Sequence, residues 1–408
     1  MEKIGFDSQL DRLATLAVGF GLGLKPGQEL IMTADIGARP LANRITEAAY
    51  AAGASNVVTL YSDDAAVLAK FTHGTEAALD AAPGWLFDAA AGALMNGAAR
   101  LAIAGDTPGL LAGQDPARVA RANNARAVAG KPFLDAITSG KVNWSIVPFV
   151  TEGWAHQVFP GLTRGVAAER LWEHVFEALR LDRPGDPVAA WEAHFAELAR
   201  RRDALNAARF DALHFEGGGT DLTVGLARGH RWVGGGNTLP DGTAYAPNLP
   251  TEEVFTMPDR SRTEGRAVFT KPAVIGGSIV EGLEVTFEAG RAVRIEAEKN
   301  AEVARNHFAT DEGASRLGEV ALVPESSPIA RSGVLFFNTL FDENAACHIA
   351  FGNAYAMNLD PGADRTAAGM NQSRIHHDCM IGSPEIRVTG VTAAGARVPV
   401  MEQGEFVI

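Results

Sequence analysis

Cysteine is nearly absent from this 408-residue chain: Cys347 and Cys379 are its whole supply, too few for a disulfide framework. Both lie beside candidate metal-binding histidines. Hard oxygen donors dominate that neighbourhood, so they read as small buried hydrophobes in preference to ligands. Basic charge is also scarce, with 36 Lys and Arg against 49 Asp and Glu, a net charge of -13 and a pI near 5.3. A surface that binds nucleic acid needs clustered Lys and Arg, so nucleic acid is excluded as the main partner. Long apolar runs are missing too, and no segment approaches the length of a membrane span. Leu13 to Leu24 is apolar enough to resemble a signal-peptide core. However, Glu2, Asp7 and Asp11 precede it, three glycines interrupt it and no small-residue cleavage pattern follows. The expectation is an amphipathic first helix ending in the Gly19–Gly27 turn region, in a cytoplasmic protein without a membrane partner.

What the chain does contain is apolar residue, 47% of the total, enough for a large core and, at this length, for two domains. From residue 29 strands and helices alternate. Leu30 to Thr33 reads as a buried strand, Pro40 to Ala52 as a helix ended by Gly53, and Asn56 to Tyr61 as a second strand. Leu101 to Ala104, a helix from Arg118 to Ala129 and the strand Val142 to Val147 continue the theme. This predicts an α/β N-terminal domain with an open, mostly parallel sheet. Gly19-Phe20-Gly21-Leu22-Gly23 is glycine-rich but precedes a strand instead of following one, which leaves a bound phosphate no helix N-terminus.

Leu171 to Arg180 and Pro187 to Ala208 read as helices bridging the halves. Beyond residue 209 glycine clusters punctuate short β-like runs. Leu283 to Phe287 alternates, turns at Ala289-Gly290-Arg291 and resumes at Val293 and Ile295, which is a hairpin with one buried face. The second half is therefore expected to be an α+β domain, residues 209–408, with a mainly antiparallel sheet that carries the metal site. Residues 1–208 make up the N-terminal α/β domain.

Metal donors concentrate in this second half: Glu252-Glu253, Glu319, Glu343, His348 and His376-His377-Asp378. Taken alone, Glu252 and Glu253 after Pro250 suit a helix N-terminus. Glu319 enters the apolar run Val320 to Val323, where an unpaired buried charge would be costly. Glu343 and His348 are five apart, off a common helical face, and fit a turn and the segment after it. In a strand His376 and Asp378 share one face and His377 takes the other. Spacing alone leaves that pair open between two arms of a metal site and a charge-stabilised His–Asp pair. Together these donors exceed one metal's needs and suit two neighbouring ions bridged by a carboxylate.

The segments Asn248–Phe255, Leu340–Gly352 and His376–Gly382 resemble the M29 family of metalloaminopeptidases, of the aminopeptidase T and aminopeptidase S type. The likeness extends over nearly the whole chain and is most specific in Thr339–Ala350. The resemblance implies metal ligands at Glu253, Glu319, His348, His376 and Asp378, with Glu319 bridging and Glu343 in the same shell. It implies two divalent ions (zinc, cobalt or manganese), peptide substrates with a free N-terminus, and a homodimer. Tyr355 matches a family tyrosine near the metals, where its hydroxyl could stabilise an oxyanion, and Glu253 could shuttle a proton or serve only as a ligand. The competing functions are an idle metal- or peptide-binding protein of the same fold, another dinuclear amidohydrolase, and a nucleotide-dependent oxidoreductase built on the first sheet.

Overall fold

The computed structural model describes residues 4–275 and 278–408. The chain forms two compact units, residues 1–192 with 236–250 and residues 193–235 with 251–408. The expected single border falls between 208 and 209. The units instead exchange chain at 192/193, 235/236 and 250/251, so the helix Pro187–Ala208 is shared between them.

The first unit is built on four parallel strands, β1 (Glu29–Asp35), β2 (Asn56–Ser62), β3 (Ala99–Ala104) and β4 (Trp144–Pro148), in the order β2-β1-β3-β4. The helix Arg39–Ala51 follows β1 and buries Leu41, Ala42, Ile45 and Ala49, the spacing of one helical face. Gly53, at φ 93°, turns the chain into β2. Three helices between β2 and β3, Asp64–His73, Glu76–Asp80 and Gly84–Met95, have no counterpart in the sequence reading. They are alanine-rich and show little amphipathic contrast, which removes the periodic signal. The helix Pro116–Thr138 outruns the expected Arg118 to Ala129 and continues through Pro132. Phe133 and Ile137 beyond the proline pack on the sheet core, and that packing holds the last turns. The first helix, Phe6–Leu16, runs on into a wider π-type turn over Ala17–Gly21. Just past it Gly23 serves close packing: it has φ 56°, and a Cβ there would lie 2.3 Å from the carbonyl oxygen of Ala244.

Among the described residues the second unit holds two large antiparallel sheets, beside the two-stranded pair Ala273–Ile275 and Ser278–Val280. The larger has eight strands in the order Arg291–Glu296, Glu284–Glu288, Pro258–Val268, Thr220–Leu226, Ala212–Gly217, Arg387–Val391, Arg397–Glu402 and Glu405–Phe406. The smaller runs His376–Met380, His348–Gly352, Leu317–Leu322 and Val254–Thr256. One apolar core joins them: Phe351 of the smaller sheet stacks on Phe308 at 4.0 Å and on Phe287 of the larger at 5.6 Å between ring centroids. The 284–296 hairpin forms as expected, with Ala289 and Gly290 both left-handed at its tip. Among the described residues no helix is long and apolar enough to cross a membrane.

A single irregularity controls the smaller sheet. Leu317 pairs with Phe351, yet Glu319 pairs with Ala350, so Gly318 is an extra residue in its strand. Without that bulge Glu319 would face Ile349 and the apolar core. With it, Glu319 turns to the opposite face. Only glycine fits the bulge, since a Cβ would stand 2.4 Å from the Gly352 carbonyl oxygen and 2.5 Å from that of Asn353. Gly318→Ala should therefore cost about 1–3 kcal/mol, the usual scale of overpacking. Chemical denaturation checks this, and an unchanged midpoint would mean that the bulge relaxes freely.

Candidate metal centre

The smaller sheet has one apolar face and one that carries donors, and strand alternation decides which residue goes where. Directly paired residues share a face, and the pairs Glu319↔Ala350, Ala350↔Asp378, Gly352↔His376 and Ala321↔His348 put Glu319, His348, His376 and Asp378 on the same side. Glu253 precedes the strand Val254–Thr256 and lies two residues from Phe255, which pairs with Ala321 on that side. Val254, Val320, Leu322, Ile349, Phe351 and Cys379 line the other face and belong to the core. Ala321 and Ala350 sit between the donors, and their small side chains leave room for the larger groups to converge.

The convergence is close. His348 Nε2 lies 3.3 Å from Glu253 Oε2, 3.5 Å from Glu319 Oε1 and 3.8 Å from Asp378 Oδ1. His376 Nε2 lies 3.4 Å from Asp378 Oδ1 and 3.8 Å from Glu319 Oε2. Two donor groups result, Glu253 with Glu319 and His348, and Glu319 with His376 and Asp378, each with its ligand atoms within 4.8 Å of one another. Glu319, only 5% exposed, belongs to both.

Hydrogen bonding fixes the orientation of both imidazoles. His348 Nδ1 lies 3.1 Å from the Ala346 carbonyl oxygen and His376 Nδ1 lies 2.8 Å from that of Asn353. An Nδ1–H donated there turns the Nε2 lone pair toward the carboxylates. His348 Nε2 and Glu253 Oε2 are both buried and make no hydrogen bond, which is the signature of donors shaped for a cation. The chemistry of the set, carboxylate oxygen with imidazole nitrogen, fits zinc, cobalt or manganese.

The electrostatics show the same crowding. Burial, together with the charges of Glu319 and Asp378, outweighs His348 and pushes the Glu253 carboxyl up to about 8. Glu343 is held well above the usual carboxylate range by burial and by the charges of Glu253 and Asp378. Burial alone would depress His348 and His376. Glu319 at 3.5 Å and the charges of Glu253 and Asp378 carry His348 to about 10, and Asp378 with Glu319 carries His376 to about 9. A site so rich in acid holds protons where cations would otherwise sit.

The other candidates take more varied places. Glu343 begins a 3-10 turn, Glu343–Ala345, as its spacing from His348 suggests; it lies outside both donor groups but close enough to feel their charge. Tyr355 is 41% exposed, with its ring centroid 4.8 Å from that of His376. Glu252 and Glu253 do not open a helix: residues 251–253 form a strap without regular structure, and only Glu253 turns to the cluster. Glu252 is 2% exposed and has His194 Nε2 3.5 Å from its Oε2. Nothing in the sequence around His194, midway along a helix, signals that contact. His377 points to the core side, where its ring meets His307 at 5.1 Å and burial lowers it to about 4. Both cysteines also lie on the core face, and burial raises the Cys347 thiol to about 12, as expected of small hydrophobes.

A buried set of oxygen and nitrogen donors is what a metalloprotease requires, and the profile of the thermophilic metalloprotease (M29) family matches residues 6–406. The chain belongs to the M29 family. It is 50% identical to aminopeptidase T of Thermus aquaticus over 406 residues, covering 99% of both chains, and 39% identical to aminopeptidase AmpS of Bacillus subtilis over 98% of this chain and 99% of that one. The structure of wild-type AmpT from Thermus thermophilus superposes with a TM-score of 0.95 at 49% identity, covering 99% of this chain and 100% of that one. A 2,5-dihydroxypyridine dioxygenase from Pseudomonas putida shares the fold alone, with a TM-score of 0.55 at 15% identity over 99% of this chain and 98% of that one.

If the two faces divide as described, His377→Leu should keep bound metal and kcat/KM within about threefold of wild type, while His376→Ala loses more than the roughly 10- to 100-fold typical of a ligand's supporting partner. Metal analysis and steady-state kinetics on both variants make the comparison. Equal losses would show that His377 serves the centre.

Proposed function

We propose that the chain is an aminopeptidase that releases N-terminal residues from peptides, with two divalent ions held at the cluster on the smaller sheet. The observation that carries this reading is Glu319, shared between two three-donor groups. A carboxylate so placed suits a bridge, with Glu253 and His348 completing one site and His376 and Asp378 the other. Divalent ions bound there would supply Lewis acidity toward the scissile carbonyl and would acidify water.

The protein's own groups account for the remaining steps. Glu253 serves at the cluster either as a ligand alone or, in its place, as the carboxylate that takes a proton from the attacking water and passes it to the leaving amine. The Tyr355 hydroxyl is kept protonated by partial burial and by the charges of Glu319 and Asp378, so it can donate a hydrogen bond to the tetrahedral oxyanion. Its exposure suits a group that must meet substrate. The concentration of carboxylates favours a substrate end that carries a free ammonium, as an exopeptidase needs, offers a neutral blocked end no such attraction and repels an acidic one. The relatives' names, aminopeptidase T and AmpS, agree with this specificity.

Leucyl-p-nitroanilide should be hydrolysed by the purified protein, lost on chelation and restored by zinc, cobalt or manganese. Glu319→Ala should remain inactive in each metal, and N-acetyl-leucyl-p-nitroanilide should not be cleaved. Turnover that survives exhaustive chelation, or equal turnover of the acetylated substrate, would overturn the reading.

A further inference from the structure

Two of the carboxylates around the cluster sit on backbone without regular strand structure. Glu253 ends the strap 251–253 and Glu343 opens a single 3-10 turn. Such segments do not hold a side chain to the tolerance that a metal site needs unless something ties them down.

Asn344, fully buried at 0% exposure, joins the two. Its Oδ1 accepts the Glu252 N–H at 2.7 Å, one residue before Glu253. Its Nδ2 donates to the Leu340 carbonyl oxygen at 3.1 Å and to Glu343 Oε1 at 3.4 Å. Its own carbonyl oxygen accepts the Ser327 hydroxyl at 3.4 Å. The strap has a second tie at Thr251, whose carbonyl oxygen lies 2.8 Å from His194 Nε2. A primary amide is the neutral side chain that offers an acceptor and two donors at this length. Aspartate keeps the acceptor but loses the donors and sets a second carboxylate against Glu343. Alanine loses every side-chain bond.

We infer that Asn344 is a positioning residue for the metal centre, its amide holding the Glu253 strap and the Glu343 turn at the separation that two ions require. This rests on the proposed reading of Glu253 and Glu343 as groups that face bound metal. It assigns to Asn344 no contact with substrate.

The test uses full-length wild type, Asn344→Ala, Asn344→Asp, Ser327→Ala and Glu319→Ala. Cobalt affinity is measured by competition with a chelator, the unfolding midpoint on metal-free protein, and kcat and KM on leucyl-p-nitroanilide. Asn344→Ala should bind cobalt about 10- to 100-fold more weakly, the range found when a ligand's supporting partner is removed, and kcat should fall while KM stays within about threefold. Ser327→Ala removes a bond to the backbone of Asn344, and not to its amide, together with the cap on the Ala330 N–H, so it should lower the midpoint but leave cobalt affinity within about twofold of wild type. Asn344→Asp is isosteric and carries the test if the alanine variant does not fold; it should also bind more weakly. Wild-type affinity in Asn344→Ala, a loss no greater than that of Ser327→Ala, or unchanged or tighter binding by Asn344→Asp would overturn the inference. Wild type that binds no cobalt, or binds it no better than Glu319→Ala, fails the metal-centre reading itself, and the inference with it.

Discussion

Glu253, Glu319 and Asp378 are packed against His348 and His376 on one side of a sheet whose other side is mainly apolar core. Buried carboxylates at these separations repel one another strongly, and no Lys or Arg pairs with these three among the described residues. A chain carries such an arrangement stably only if protons or cations neutralise it, and the raised proton affinity of Glu253 is the visible result of that demand. Much of the second unit can be understood as what is needed to hold this patch of acid together.

The means are economical in sequence terms. The sheet separates an aromatic core, with Phe287, Phe308 and Phe351 stacked on its apolar side, from a donor face where Ala321 and Ala350 leave space. The Gly318 bulge moves one glutamate from the first face to the second. Backbone carbonyls of Ala346 and Asn353 orient the two imidazoles. Asp342, held neutral up to about 7 by burial, accepts the N–H groups of Phe336 and Asn338 and so fixes the loop before the Glu343 turn. The rigid elements carry Glu319, His348, His376 and Asp378, while Glu253 and Glu343 depend on side-chain ties.

Legibility in the sequence followed local periodicity. His376 and Asp378 could be placed on one face, with His377 on the other, because a strand alternates regardless of what surrounds it. Glu319 stood out as a charge in an apolar run, but that pattern could not say which way it pointed, since the bulge that turns it is a matter of register with Phe351. Glu252 and Glu253 looked alike in sequence and part company in space, one toward His194 and the other toward His348. The helices between residues 64 and 95 leave no signal in the sequence because alanine-rich segments carry little periodic contrast. The helix through Pro132 was cut short because its end is secured by packing and not by propensity.

By itself, then, the sequence determined the kinds of element and the kinds of chemistry: parallel strands with crossover helices, later hairpins, and an excess of oxygen and nitrogen donors in the second half. These follow from side-chain period, turn residues and composition, which are local properties. The tertiary structure decided which donors meet, that Glu319 is common to both groups, that Asn344 spans Glu252 and Glu343, and that the chain passes between its units at 192/193, 235/236 and 250/251. Those depend on contacts between residues tens to more than a hundred positions apart, such as Glu253 with His348, and long-range pairing of that kind leaves no mark on the spacing of neighbouring residues.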